Sequence, residues 1–253
     1  MRNIKLTLQY DGTNFCGFER QNNGRSIRAE IEKALQKIFE NPSKIIGTSR
    51  TDAGVHACCQ IINFKTNKSI PIEKIPAALN SFLPEEIRIV KAEEKDIDYI
   101  SRFAVKSKEY EYLIYNGQYL NPLFKRFVWH VRPKLDITAM KKAAKYLVGK
   151  HDFSSFCAAN SDDKDKVRVV KQIVIRNTKC VIWEGCKLSV VSCKFVGPGF
   201  LYKMVRNMVG TLVEVGMGKR NYTDMKLILT EKDRKKAGRT APAHGLCLTR
   251  IVE

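Results

Sequence analysis

The sequence predicts an α+β fold: two βαββαβ halves that form an extended, mainly antiparallel sheet with a central cleft. Three observations predict it. Short runs such as Arg2–Gln9 alternate apolar and polar residues with the two-residue period of a strand. Longer runs such as Ile27–Phe39 and Phe200–Val215 carry apolar residues at helical spacing. The same order of elements then occurs twice along the chain, as a pattern without sequence identity between the halves.

In the first half, residues 1–100, Arg2–Gln9 reads as a strand that Asp11-Gly12 closes with a turn. Ser26 is the expected N-cap of a helix over Ile27–Phe39, with Ile27, Ile31, Ala34, Leu35 and Ile38 on one face. Asn41-Pro42 stops it. Strands follow at Lys44–Gly47 and Cys59–Phe64, then a helix over Pro71–Phe82 and a strand at Ile87–Val90. In the second half, residues 101–253, strands are expected at Tyr110–Tyr115, Val169–Ile175, Lys187–Phe195 and Leu246–Ile251. Helices are expected at Ile137–Val148, ended by Gly149, and at Phe200–Val215. Each half thus reads β-α-β-β-α-β, the ferredoxin-like order.

Charge separates the halves. The chain has 45 Lys and Arg against 26 Asp and Glu, a net of +19. Residues 1–100 carry a net of +2 and residues 101–253 a net of +17. A field that positive gathers polyanions, so nucleic acid is the expected partner; a charge that only keeps the chain soluble is the plainer reading. No apolar run nears the roughly 20 residues that span a bilayer. Met1–Tyr10 reads as a strand and not as a signal peptide, so a soluble, cytoplasmic protein with reduced thiols is expected. The eight cysteines include no Cys-x-x-Cys pair. His56, Cys58 and Cys59 lack a second paired cluster downstream, so no metal is expected.

The densest polar cluster in an apolar neighbourhood is Arg50-Thr51-Asp52-Ala53-Gly54-Val55-His56. By spacing alone it reads as an Asx-turn with Gly54 at positive φ. Its place between two strands also suits the display of a reactive group. Lys203, Arg206 and Asn207 share a face of the long helix. That face reads either as solvated surface or as a source of Arg206 for a carboxylate in the cleft. Tyr110 and Tyr112 share a strand face, either as core or as a platform for an unstacked base.

The Arg50–His56 stretch resembles the signature of the TruA-type tRNA pseudouridine synthases. The resemblance extends to Tyr10–Phe15 with Gly17, Arg20 and Gln21, to Ser107–Asn116, to His151–Phe156, to Phe200–Gly216 and to Ala241–Leu246. Small departures are Phe18-Glu19 where Trp-Gln is common, Glu111 where a basic residue is common, and Glu253 at the end. The resemblance implies two ferredoxin-like halves, a homodimer, and isomerisation of uridine at positions 38, 39 and 40 of the tRNA anticodon stem-loop. Asp52 then falls on the essential aspartate and Arg50 on an arginine that holds the flipped base. Tyr110 falls on the active-site tyrosine and Arg206 on the arginine that pairs with the aspartate. Neither cofactor nor metal is implied, because the reaction involves no net oxidation or hydrolysis. The alternatives are a non-catalytic RNA-binding module, a synthase acting on another RNA, and a metal-dependent nuclease. The first expects an RNP-type stacking strand, which is not found, and the last wants clustered carboxylates, whereas Asp52 stands alone in the sequence.

Overall fold

A computed structural model of the chain describes residues 1–21, 24–39, 42–161, 163–183 and 186–253; Asn41 and Asp162 lie outside them. The chain divides into two compact units, Met1–Lys106 with Cys247–Glu253, and Ser107–Leu246. The first unit therefore runs past residue 100 and takes in the C-terminal residues, which the sequence reading gave to the second half.

In the first unit, β1 (Arg2–Tyr10), α1 (Ile27–Ile38), β2 (Ile46–Gly47), β3 (His56–Thr66), α2 (Ile75–Asn80) and β4 (Ile87–Lys95) follow the expected order. The strands lie as β4-β1-β3-β2, every neighbour antiparallel. The last strand of the chain, numbered β11 (Leu246–Val252) because six strands of the second unit precede it, pairs parallel with the start of β3, Cys247 opposite His56. It shares that edge of β3 with β2, which pairs near Asn63.

Ile4, Leu6, Leu8 and Tyr10 bury one face of β1, as the alternation predicts. The other face is covered too, which alternation alone does not predict. Buried Asn3 donates to Asp96 O at 2.9 Å and Tyr99 O at 2.8 Å, and Asn63 donates to Asn3 Oδ1 at 3.0 Å. Lys5 is buried against Glu253 and Glu93. These polar groups are tolerated there because each has a partner. Ser26 caps α1, its Oγ accepting from Ala29 N at 3.3 Å. The helix expected over Pro71–Phe82 is a 3-10 turn at Ile72–Lys74 followed by the shorter α2, whose first turn holds Pro76, a residue without the N–H that an earlier start needs.

In the second unit, β5 (Ser107–Tyr115), β6 (Trp129–His130), β9 (Gln172–Trp183) and β10 (Cys186–Gly197) form a sheet ordered β6-β5-β10-β9. A separate ribbon pairs β7 (Gly149–Asp152) with β8 (Val167–Val170). The strand expected at Val169–Ile175 is thus two strands. Lys171 separates them, and its N–H bonds to Val196 O at 2.7 Å. Helix α3 (Ile137–Lys145) is capped by Asp136, whose Oδ1 accepts from Ala139 N at 2.9 Å. The helix ends at Lys145, three residues short of the expected Val148, so Gly149, at φ 119°, opens β7 and does not end α3. Helix α4 (Met204–Gly216) starts later than the expected Phe200 because Lys203 adopts a left-handed conformation, φ 58°. Helix α5 (Asp224–Glu231), which buries Met225, Ile228 and Leu229, was not expected. Among the described residues no helix is long and apolar enough to cross a membrane.

Candidate active site

In the first unit Arg50–Val55 form the turn between β2 and β3, His56 opens β3, and main-chain bonds hold the turn on several sides. Phe18 N donates to Thr51 O at 3.0 Å, Val55 N to Asp52 O at 3.1 Å, and Gly54 N to Phe15 O at 3.3 Å. Gly54 takes φ 76°, as the turn reading requires. The buried Thr51 hydroxyl bonds to Tyr10 OH at 2.7 Å. Gln60, fully buried on β3, reaches back: its Nε2 donates to Ser49 O and its Oε1 accepts from Thr48 Oγ1, both at 2.7 Å. Asp52 is half-buried on this support.

Close backbone approach explains two glycines near the loop. A side chain at Gly12 would place Cβ 2.0 Å from Val55 O, and one at Gly17 would place it 2.9 Å from Thr51 O. His56 Nδ1 lies 3.1 Å from both Gly12 N and Asp11 Oδ1. Gly12 N donates to His56 Nδ1. Sequence reasoning missed Tyr10, Gln60 and His56 as supports, since their partners are set by strand register and not by spacing.

Arg50 projects outward, its side chain 72% exposed, and its Nε lies 3.8 Å from Glu19 Oε1. Among the described residues no group of three or more His, Cys, Asp or Glu side chains is arranged to hold a metal.

In the second unit Tyr110 and Tyr112 share a face of β5, and both are buried. Tyr110 packs edge-to-face on Phe200, centroids 5.5 Å apart. Tyr112 donates its hydroxyl to Pro242 O at 2.8 Å. Burial pushes the Tyr112 phenol strongly up, against the opposing pull of Arg206 and Arg239, so it stays protonated. Gly245 leaves room for that ring: a Cβ there would fall 2.6 Å from it. Arg206, half-buried on α4, donates from Nε to Ala241 O at 2.9 Å, while Ala241 N donates to Arg206 O at 3.1 Å.

Two expectations for the helix face at Lys203, Arg206 and Asn207 change. Lys203 precedes α4 instead of lying on its face. Asn207 is fully buried, donating to Phe156 O at 2.7 Å and accepting from Thr240 Oγ1 at 2.6 Å. Arg234 is part of the same network, donating to Asn207 Oδ1 and Thr240 Oγ1 at 3.1 Å each and to Gly238 O at 2.9 Å. A guanidinium so engaged supports the fold. Arg234→Ala is expected to lower stability by about 1–3 kcal/mol, whereas Lys235→Ala leaves it within about 0.5 kcal/mol. Thermal denaturation of both checks this; an Arg234→Ala variant as stable as wild type contradicts it.

The family model described as tRNA pseudouridine synthase matches residues 7–104 and 143–252. The tRNA pseudouridine synthase A of Acetivibrio thermocellus is 41% identical over 251 residues, covering 99% of each chain. That of Brevibacillus brevis is 44% identical over 252 residues, covering 100% of each, and that of Bacillus pumilus 43% identical over 250 residues, covering 98% of each. The chain therefore belongs to the tRNA pseudouridine synthase family, in its TruA branch.

Proposed function

We propose that this chain converts uridine to pseudouridine at positions 38, 39 and 40 of the tRNA anticodon stem-loop, with Asp52 as the catalytic carboxylate. It does so as a cytoplasmic homodimer built of two ferredoxin-like halves per chain. The fixed turn that carries Asp52 is the observation behind this reading. A carboxylate whose loop is tied at Thr51, Asp52 and Gly54 meets a reacting sugar without first having to be ordered.

The reaction breaks the N1–C1′ bond, turns the uracil, joins C5 to C1′ and moves the C5 proton to N1. Nothing is oxidised or hydrolysed. The ionised carboxylate of Asp52 serves either of two routes: addition to the nucleotide, or removal of the 2′ proton to give a glycal. The target base first leaves its stack, at a cost of a few kcal/mol. Arg50, outward-facing beside Asp52 in sequence, suits the space the base vacates. Tyr110 is assigned the stacking contact with the detached uracil. Arg206 is assigned the role of cationic partner that keeps the carboxylate ionised. Both assignments rest on the matched motifs. The basic residues of Ser107–Leu246 supply phosphate contacts.

Isomerisation leaves mass unchanged, so the test is carbodiimide derivatisation of tRNA followed by mass mapping, after incubation with purified protein and no added cofactor. New adducts at 38, 39 and 40 are expected. Adducts elsewhere, or none, contradict the proposal.

A further inference from the structure

We propose that Glu19 is a positioning residue for Arg50: anchored through Arg28, its carboxylate steers the Arg50 guanidinium to its working place beside the Asp52 loop. The proposal rests on the reading of Arg50 as the base-flipping arginine.

Residue 19 has little freedom. Its neighbour Phe18 donates its N–H to Thr51 O at 3.0 Å and accepts at its carbonyl from Arg28 N at 2.9 Å. The Phe18 ring is buried against Gly47, where a Cβ would lie 2.6 Å from it. The backbone of residue 19 is therefore set between the first turn of α1 and the turn that holds Asp52.

The Glu19 side chain is fixed from one end. Arg28 Nη1 donates to Glu19 Oε2 at 2.8 Å. Arg28 is itself held, Nε donating to Glu32 Oε1 at 2.9 Å and Nη2 to Ile45 O at 2.8 Å. The other oxygen, Oε1, faces Arg50 Nε at 3.8 Å. Arg50 is long and largely exposed, so its rotamers spread widely unless something narrows them. A buttressed carboxylate does that without burying the guanidinium, which stays available to RNA.

The sign of the effect separates positioning from simple charge attraction. Glu19→Gln makes the surface more positive, so tRNA affinity holds or rises. An exposed ion pair is weak, so kcat is expected to fall only about twofold to fivefold. The test is a double-mutant cycle on kcat and KM with wild type, Glu19→Gln, Arg50→Ala and the double variant, each checked by its melting temperature. The expected result is a lower kcat with unchanged or lower KM for Glu19→Gln, and a double variant no slower than Arg50→Ala. Glu19→Asp keeps the charge on a shorter reach and is expected to fall between wild type and Glu19→Gln; it carries the test if the glutamine variant does not fold. Multiplicative losses make Glu19 merely structural and overturn the proposal. A raised kcat means that Glu19 holds Arg50 back and also overturns it. If Arg50→Ala itself turns over like wild type, the reading of Arg50 fails and takes the proposal with it.

Discussion

Replacing Asp52 with asparagine is expected to abolish pseudouridine formation while tRNA affinity stays within about twofold of wild type. The substitution keeps size and shape and leaves intact the main-chain bonds that hold the turn, including Val55 N to Asp52 O at 3.1 Å and Phe18 N to Thr51 O at 3.0 Å. It removes only the charge and basicity of the carboxylate. A positioned acid or base contributes about 10²–10⁴-fold, and a group that also bonds covalently contributes more. Single-turnover assays with fluorescence anisotropy separate chemistry from binding. Loss of tRNA binding or of thermal stability in this variant makes Asp52 a structural residue and leaves the reaction without its carboxylate.

Gly210→Ala is expected to be the most destabilising single methyl addition in the second unit. A Cβ at Gly210 falls 1.7 Å from Arg239 O, a main-chain atom that cannot rotate away. The segment that carries it is fastened along α4: Gly238 N donates to Thr211 Oγ1 at 2.9 Å and Arg239 N to Glu214 Oε1 at 3.0 Å. Overpacking of this kind costs about 3 kcal/mol, which lowers the melting temperature by roughly 6–12 °C in a chain of this size. Turnover is expected to fall as well, because Ala241 in the same segment holds Arg206. Gly199→Ala is the control, since nothing lies within 4 Å of its Cβ position. Equal melting temperatures for the two variants contradict the prediction.

What could be read from the sequence was local. Ser26 announced the start of α1 and Gly54 took the positive φ that the Asp-Ala-Gly turn requires, because each depends on residues a few positions away. The second unit was harder. Val169–Ile175 reads as one strand with Lys171 and Gln172 inside it, yet its two ends join different sheets, a choice made by the partners Gly149–Asp152 and Cys186–Gly197. Helix α5 is short, and its apolar face is visible only once something covers it.

The same distinction applies to the site. The cluster around Asp52 stood out by composition, but its supports Tyr10, Gly12 and Gln60 gain meaning only from strand register. Asn207 shared a helix face that read as solvated surface, yet it bonds to Arg234 and Thr240. These partners lie far along the chain, and the network they form is partly buried, with Asn207 at its centre. Periodicity marks a face as polar; it does not say whether water or protein meets it.

The central claim, that this chain isomerises uridine in tRNA through Asp52, is tested most directly by release of tritium from tRNA labelled at uracil C5. Joining C5 to C1′ frees that hydrogen to solvent, whichever route the carboxylate takes. Tritium is expected to appear in water with wild-type protein and no cofactor, and not with Asp52→Asn. Equal release from both proteins, or none from either, contradicts the claim.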